Sequence, residues 1–113
     1  MVEQGDIIWL NFSPQSGHEQ SGCRPALVVS NGSFNQLTKK AAMVCPITNT
    51  DRNLPFHVKL SEGTQTKGVI LCDHAKIADI QARGFEFIEK APKEIVLEVI
   101  ALINCFIEAE TEE

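Results

Sequence analysis

The sequence predicts a mainly β domain finished by one C-terminal helix, with the strands wrapped into a small, strongly bent antiparallel barrel. Three observations predict it. Up to residue 89 the apolar residues come in short runs separated by segments rich in Gly, Asn, Ser and Thr, as in a string of strands and turns. After residue 90 the apolar spacing changes to that of a helix. The chain has 113 residues, which fits a single domain spanning 1–113 with one core and no need of a metal or disulfide.

The elements follow in order. DIIWLNF (6–12) is β-rich and almost continuously apolar, the pattern of a strand buried on both sides, and PALVVS (25–30) is similar. NGSFNQLTKK (31–40) reads as a turn with one helical turn, which Ser33 is placed to cap. AAMVCPIT (41–48) is a third strand, and Pro46 within it suggests an edge or a bulge. FHVKL (56–60) alternates, and GVILC (68–72), KIADI (76–80) and FEFIE (85–89) are further short strands. The terminal helix begins at Pro92, suited to the first helical position, with Glu94 in the first turn where the helix dipole favours it. Glu94, Glu98, Ala101, Cys105 and Glu108 form its small or polar stripe, and the remainder is apolar. That is wider than the roughly 100° stripe of an ordinary surface helix, so a second partner is expected on it: another copy of the chain.

Charge is unevenly placed. Residues 1–90 hold nine Lys or Arg and nine Asp or Glu, whereas residues 91–113 hold one Lys and six Glu, so the net charge of −5 comes from the last segment. The tail from about residue 108 is expected to be solvated and flexible. A neutral body argues against tight, nonspecific duplex binding through many phosphate contacts. No run approaches the roughly 18 apolar residues of a membrane span, and the start MVEQGD is not a signal peptide, so a cytoplasmic protein without membrane contact is expected. Cys23, Cys45, Cys72 and Cys105 are scattered with no C-x-x-C pair, and are read as structural thiols. Cys72, Asp73 and His74 suggest a partial metal site. Adjacent residues of a strand point to opposite faces, so no metal and no cofactor is expected.

The stretch SGHEQSGCRPALVVSN (16–31) carries the chemistry. Gly17 and Gly22 bracket His18 and Glu19. Arg24 precedes Pro25, which drives it to extended geometry at a strand mouth. A guanidinium fixed there offers a forked, permanently charged donor set to anionic oxygens. The alternative is plain: loops collect polar residues because they are wet, Arg24 by itself is a surface ion-pair partner, and Thr48 and Asp73 merely end their strands.

The line GDIIWLNFSPQSGHEQSGCRPALVVSN resembles the MazF/PemK family of toxin endoribonucleases, whose hallmark is a strand opened by G-[DE]-[IV], a loop of the form G-[HS]-E-Q-x-G, and then R-P. FNQLTKKAAMVCPITN, GVILCDHAKIAD with the following ARG, and a helix launched by P-x-E extend the resemblance from Gly5 to about Ile107. It implies an SH3-like barrel acting as a homodimer, metal-independent cleavage of single-stranded RNA, chiefly mRNA, at short sequences, and a cognate antitoxin partner. It implies catalytic roles for Glu19, Arg24 and Thr48, and for His18 and Asp73 as in one branch. That branch also places an Arg two residues before the aspartate, where this chain has Leu71, which leaves Arg24 as the principal cation.

Such a reaction sends the ribose 2′-OH at the neighbouring phosphate and leaves a 2′,3′-cyclic phosphate and a 5′-OH. Arg24 would stabilise the charge on phosphorus, with Thr48 donating beside it. Glu19 would act as base, with His18 as an auxiliary. Unpaired RNA bases are read by stacking and along their edges, and Phe34, Asn35, Asn49, Thr50, Arg52, Phe56 and Gln81 are the candidates for that. Toxins that grip and poison DNA gyrase share the same barrel. The resemblance implies an aromatic C-terminal tip for those, whereas this chain ends EAETEE and its one Trp, Trp9, lies in the first strand.

Overall fold

A computed structural model describes residues 1–13 and 22–111. His18 and Glu19 lie outside the described residues. Seven strands form a single antiparallel sheet: β1 (Asp6–Asn11), β2 (Cys23–Val28), β3 (Ala41–Thr48), β4 (His57–Lys59), β5 (Val69–Leu71), β6 (Lys76–Asp79) and β7 (Phe85–Lys90). Helix α1 (Gly32–Thr38) joins β2 to β3, a 3-10 turn (Cys72–His74) follows β5, α2 (Ile80–Arg83) follows β6, and α3 (Lys93–Phe106) completes the chain. The hydrogen-bonded path runs β4-β5-β3-β2-β1-β7, with β6 also paired to β3.

The nearly continuous apolar runs of β1 and β2 are explained by burial on both faces. Ile7 and Leu27 point into a core shared with Ile95, Val96 and Val99 of α3. Their neighbours Ile8, Ala26 and Val28 point into a second core with Val2, Phe12, Val44 and Ile80. Alternate side chains of a strand face opposite ways, so a strand between two cores has no polar face.

The sheet is open rather than a closed barrel, because the outermost strands β4 and β7 do not pair. A side chain spans that gap. Glu89 on β7 accepts hydrogen bonds from the backbone N–H of Gln65 (3.0 Å) and Thr66 (2.7 Å) and from the Thr66 hydroxyl (2.7 Å), all in the β4–β5 connection. Desolvation works to raise the Glu89 pKa, but these donors together outweigh it and hold the carboxyl below its ordinary value.

Several local expectations are corrected. Asn31, not Ser33, caps α1, its side chain accepting from Phe34 N–H at 3.0 Å. Pro46 lies in β3, the most heavily paired strand, not at an edge. It is tolerated because β6 pairs with residues 41–44 and β5 with residues 47–48, so Pro46 falls in the changeover between them. Cys72 is in the 3-10 turn rather than in a strand. Cys45 and Cys72 are buried as structural thiols should be, but Cys23 and Cys105 are exposed. Pro92 stands just before the first residue of α3, where its carbonyl accepts from Ile95 and Val96. Leu97 and Phe106 of α3, and Ile107 at its C-terminal cap, are exposed.

Candidate functional site

Arg24 and Thr48 are brought together by strand register. β2 pairs with β3 through Ala26↔Pro46, Leu27↔Cys45 and Val28↔Val44. Continuing that ladder two residues sets Arg24 opposite Thr48, on the same face. Both residues line two separate clefts, so they form the partition between them. The first cleft, of about 500 Å³, is completed by Thr50, Arg52, Leu54, His57, Leu71, Asp73 and His74. The second, of about 590 Å³, is completed by Trp9, Cys23, Pro25, Ile47, Asn49, Gln65, Thr66, Lys67 and Ile88.

Close packing fixes the partition. Thr48 Oγ1 accepts from Thr50 N–H at 3.3 Å, leaving its own O–H to donate into the cleft. Gly68 lies at φ +116, and a Cβ there would overlap the Thr48 carbonyl, so only glycine lets β5 approach this closely. The 49–54 loop that carries Thr50 and Arg52 is shaped by Asp51, whose carboxylate accepts from Asn53 N–H at 2.8 Å and lies 3.2 Å from Lys59 Nζ. The Asn53 bond and then the Lys59 ammonium hold Asp51 below its ordinary pKa.

The neck of the β1–β2 connection is also tied. Phe12 N–H donates to Gly22 O at 2.9 Å and Gly22 N–H to Ser13 Oγ at 2.8 Å. Arg83 donates to the Asn11 and Ser13 carbonyls at 2.9 and 3.3 Å, which gives the ARG triplet a structural task.

Asp73 faces the first cleft between two imidazoles, with His57 Nε2 3.4 Å from Oδ1 and His74 Nε2 3.8 Å from Oδ2. Burial and the neighbouring Asp73 push the Cys72 thiol up to about 12, and burial raises Cys45 as well, so both stay protonated and inert as nucleophiles. Among the described residues no three His, Cys, Asp or Glu side chains gather as a metal site would require.

The remaining candidates divide. Asn49 lines the second cleft, while Thr50 and Arg52 line the first. Phe34, Asn35 and Gln81 border other hollows. Asn35 is a buried structural residue rather than a surface reader. Its Oδ1 accepts from the Ser30 hydroxyl and its Nδ2 donates to the Val2 and Ser30 carbonyls. Phe56 meets His57 and Phe106 edge-on, bracing β4 against α3. Trp9 and His57 are cleft residues that are not among the site candidates read from the sequence. Trp9 presents a ring that is 44 % exposed at the second cleft, and His57 lies on the wall of the first.

A family model described as the PemK-like, MazF-like toxin of type II toxin–antitoxin systems matches residues 3–107. The chain belongs to that family. Among its relatives, the endoribonuclease toxin ChpB of Escherichia coli K12 is 40 % identical over 111 residues, 94 % of each protein. Endoribonuclease PemK of Escherichia coli is 36 % identical over 107 residues, 91 % of this chain and 80 % of PemK. MazF of Deinococcus radiodurans superposes with a TM-score of 0.89 at 36 % identity, covering 96 % of this chain and 97 % of that one. A chain of the MazE–MazF complex from the same organism superposes at 0.83, with 33 % identity and 96 % and 98 % covered. These likenesses agree with the mainly antiparallel fold and terminal helix of this family member.

Proposed function

We propose that this toxin cleaves single-stranded RNA, mRNA above all, at short sequences without a metal ion, by attack of a ribose 2′-OH on the adjacent phosphate. The observation that carries the reading is the placement of Arg24 and Thr48 on the one wall that two clefts share. An extended strand crossing that wall puts one phosphate against a guanidinium and a hydroxyl, with nucleotides accommodated on either side. Arg24 stabilises the charge that develops on the phosphoryl oxygens, and stays protonated at any working pH. Thr48 donates its O–H to the same group. Glu19 takes the 2′ proton with His18 assisting, and Asp73 presents a second carboxylate to the same sugar.

Trp9, Pro25 and Ile88 give the second cleft an apolar, partly aromatic surface on which bases stack. Asn49, Thr50 and Arg52 supply edge contacts and a cation close to the reacting phosphate. The exposed apolar residues of α3 suit a homodimer, and a cognate antitoxin would hold the toxin inactive by occupying the clefts. The solved MazE–MazF complexes of relatives favour such a partner.

The test is incubation of the purified protein with a defined single-stranded RNA in excess EDTA, followed by end-group analysis. The expected outcome is discrete cuts bearing 2′,3′-cyclic phosphate and 5′-OH ends, abolished by equimolar cognate antitoxin. A strict requirement for a divalent cation, or 5′-phosphate ends, would remove the proposed chemistry.

A further inference from the structure

The first cleft holds a side chain that the reaction just proposed leaves unused. His57 opens β4 with its side chain only 7 % exposed. Nε2 lies 3.4 Å from Asp73 Oδ1, while Nδ1 is buried and has no hydrogen-bond partner. An orphaned buried nitrogen is a standing penalty that an apolar residue of similar size would avoid, so packing does not account for an imidazole here. The strand register adds a second observation. His57 pairs directly with Leu71 across β4 and β5, and both line the cleft. Directly opposed residues share a face of the sheet. The imidazole therefore stands beside Leu71 on the face that lines the cleft, within reach of Asp73 at the cleft wall.

The terminal torsion of an aspartate is broad and two-fold, so an unattended carboxylate turns easily. Asp73 is 37 % exposed, and its second oxygen faces the more distant His74. We propose that His57 is a positioning residue for RNA cleavage. Its Nε2 edge, 3.4 Å from Asp73 Oδ1, holds the carboxylate in place for its contact with the ribose. The role rests on the function proposed above.

A double-mutant cycle tests it, using single-turnover cleavage of one RNA by wild type, His57→Leu, Asp73→Asn and the double variant, with RNA affinity and melting temperature measured in parallel. His57→Leu is expected to lower the cleavage rate by about tenfold or more while affinity stays within about threefold. Its melting temperature is expected to match or exceed that of wild type, because the orphaned nitrogen is gone. In the Asp73→Asn background the same substitution is expected to change the rate by less than about twofold. His57→Gln, whose amide nitrogen reaches the Nε2 position, is expected to recover most of the rate. Equal losses in both backgrounds, or a Gln variant no faster than Leu, would overturn the proposal. Should His57→Leu fail to fold, His57→Asn, whose amide stops short of Asp73, takes its place in the cycle. A wild type that does not cut RNA overturns the proposed function and the His57 role together. A wild type that cuts, with an additive His57 effect, overturns the His57 role alone.

Discussion

The two clefts on either side of Arg24 and Thr48 are similar in size but different in chemistry. The first gathers Arg52, His57, Asp73 and His74, groups that carry charge or move protons. The second is walled by Trp9, Pro25, Ile47 and Ile88, with Asn49 and Lys67 among the polar residues at its border. A surface for gripping nucleobases needs faces to stack on, whereas a surface for breaking a phosphodiester needs preorganised charge. The contrast suggests a division of labour: chemistry at the partition and in the first cleft, grip in the second.

Substitutions can break or sharpen that division. Arg24→Ala carries the largest expected effect, because the partition loses its fixed cation. Initial rates at saturating RNA should fall by about 10²–10³-fold, the usual result of removing one preorganised donor. Trp9→Ala should act in the opposite sense. Loss of one stacking surface is expected to weaken RNA binding by about 1–3 kcal/mol, read by titration of a 2′-O-methyl RNA, while the rate at saturation changes little. Equal effects of both variants on rate and on affinity would dissolve the distinction between the clefts.

The smallest expected effect concerns the seam that supports the second cleft. Glu89→Gln should cost about 1 kcal/mol of stability, since the carboxylate's contacts are partly wetted, and should slightly loosen the segment bearing Thr66 and Lys67. The pH dependence has a definite sign. The folded-state pKa of Glu89 is depressed, so its contribution is complete above the ordinary value of 4.5 and is lost as the pH falls through the lower folded value. Wild type and Glu89→Gln should therefore converge in melting temperature on acidification below 4.5.

The parts of the fold that rest on local pattern were legible in the sequence. Continuous apolar runs in β1 and β2 meant burial on two faces, and the change of period marked α3. Arg24 was legible because an Arg-Pro pair restricts the backbone on its own. Long-range register was not legible. The alternation of FHVKL groups His57 with Lys59 on a polar face, whereas pairing with Leu71 encloses it in a cleft. Asn35 looked like a loop residue, and only the approach of Val2 and Ser30 makes it a buried tie. Pro46 looked like an edge marker because the exchange of β6 for β5 along β3 leaves no local trace. Trp9 lies in an apolar run and reads as core, although it faces outward at a cleft.

The most direct test of the reaction centre is a paired measurement on Arg24→Ala: its single-turnover cleavage rate at saturating RNA, and its affinity for the same sequence carrying 2′-O-methyl groups. The expected result is a rate reduced by about two orders of magnitude or more with affinity changed only a few-fold. A rate near that of wild type, or a loss confined to affinity, would contradict the assignment of Arg24 and its partition as the place where the phosphate reacts.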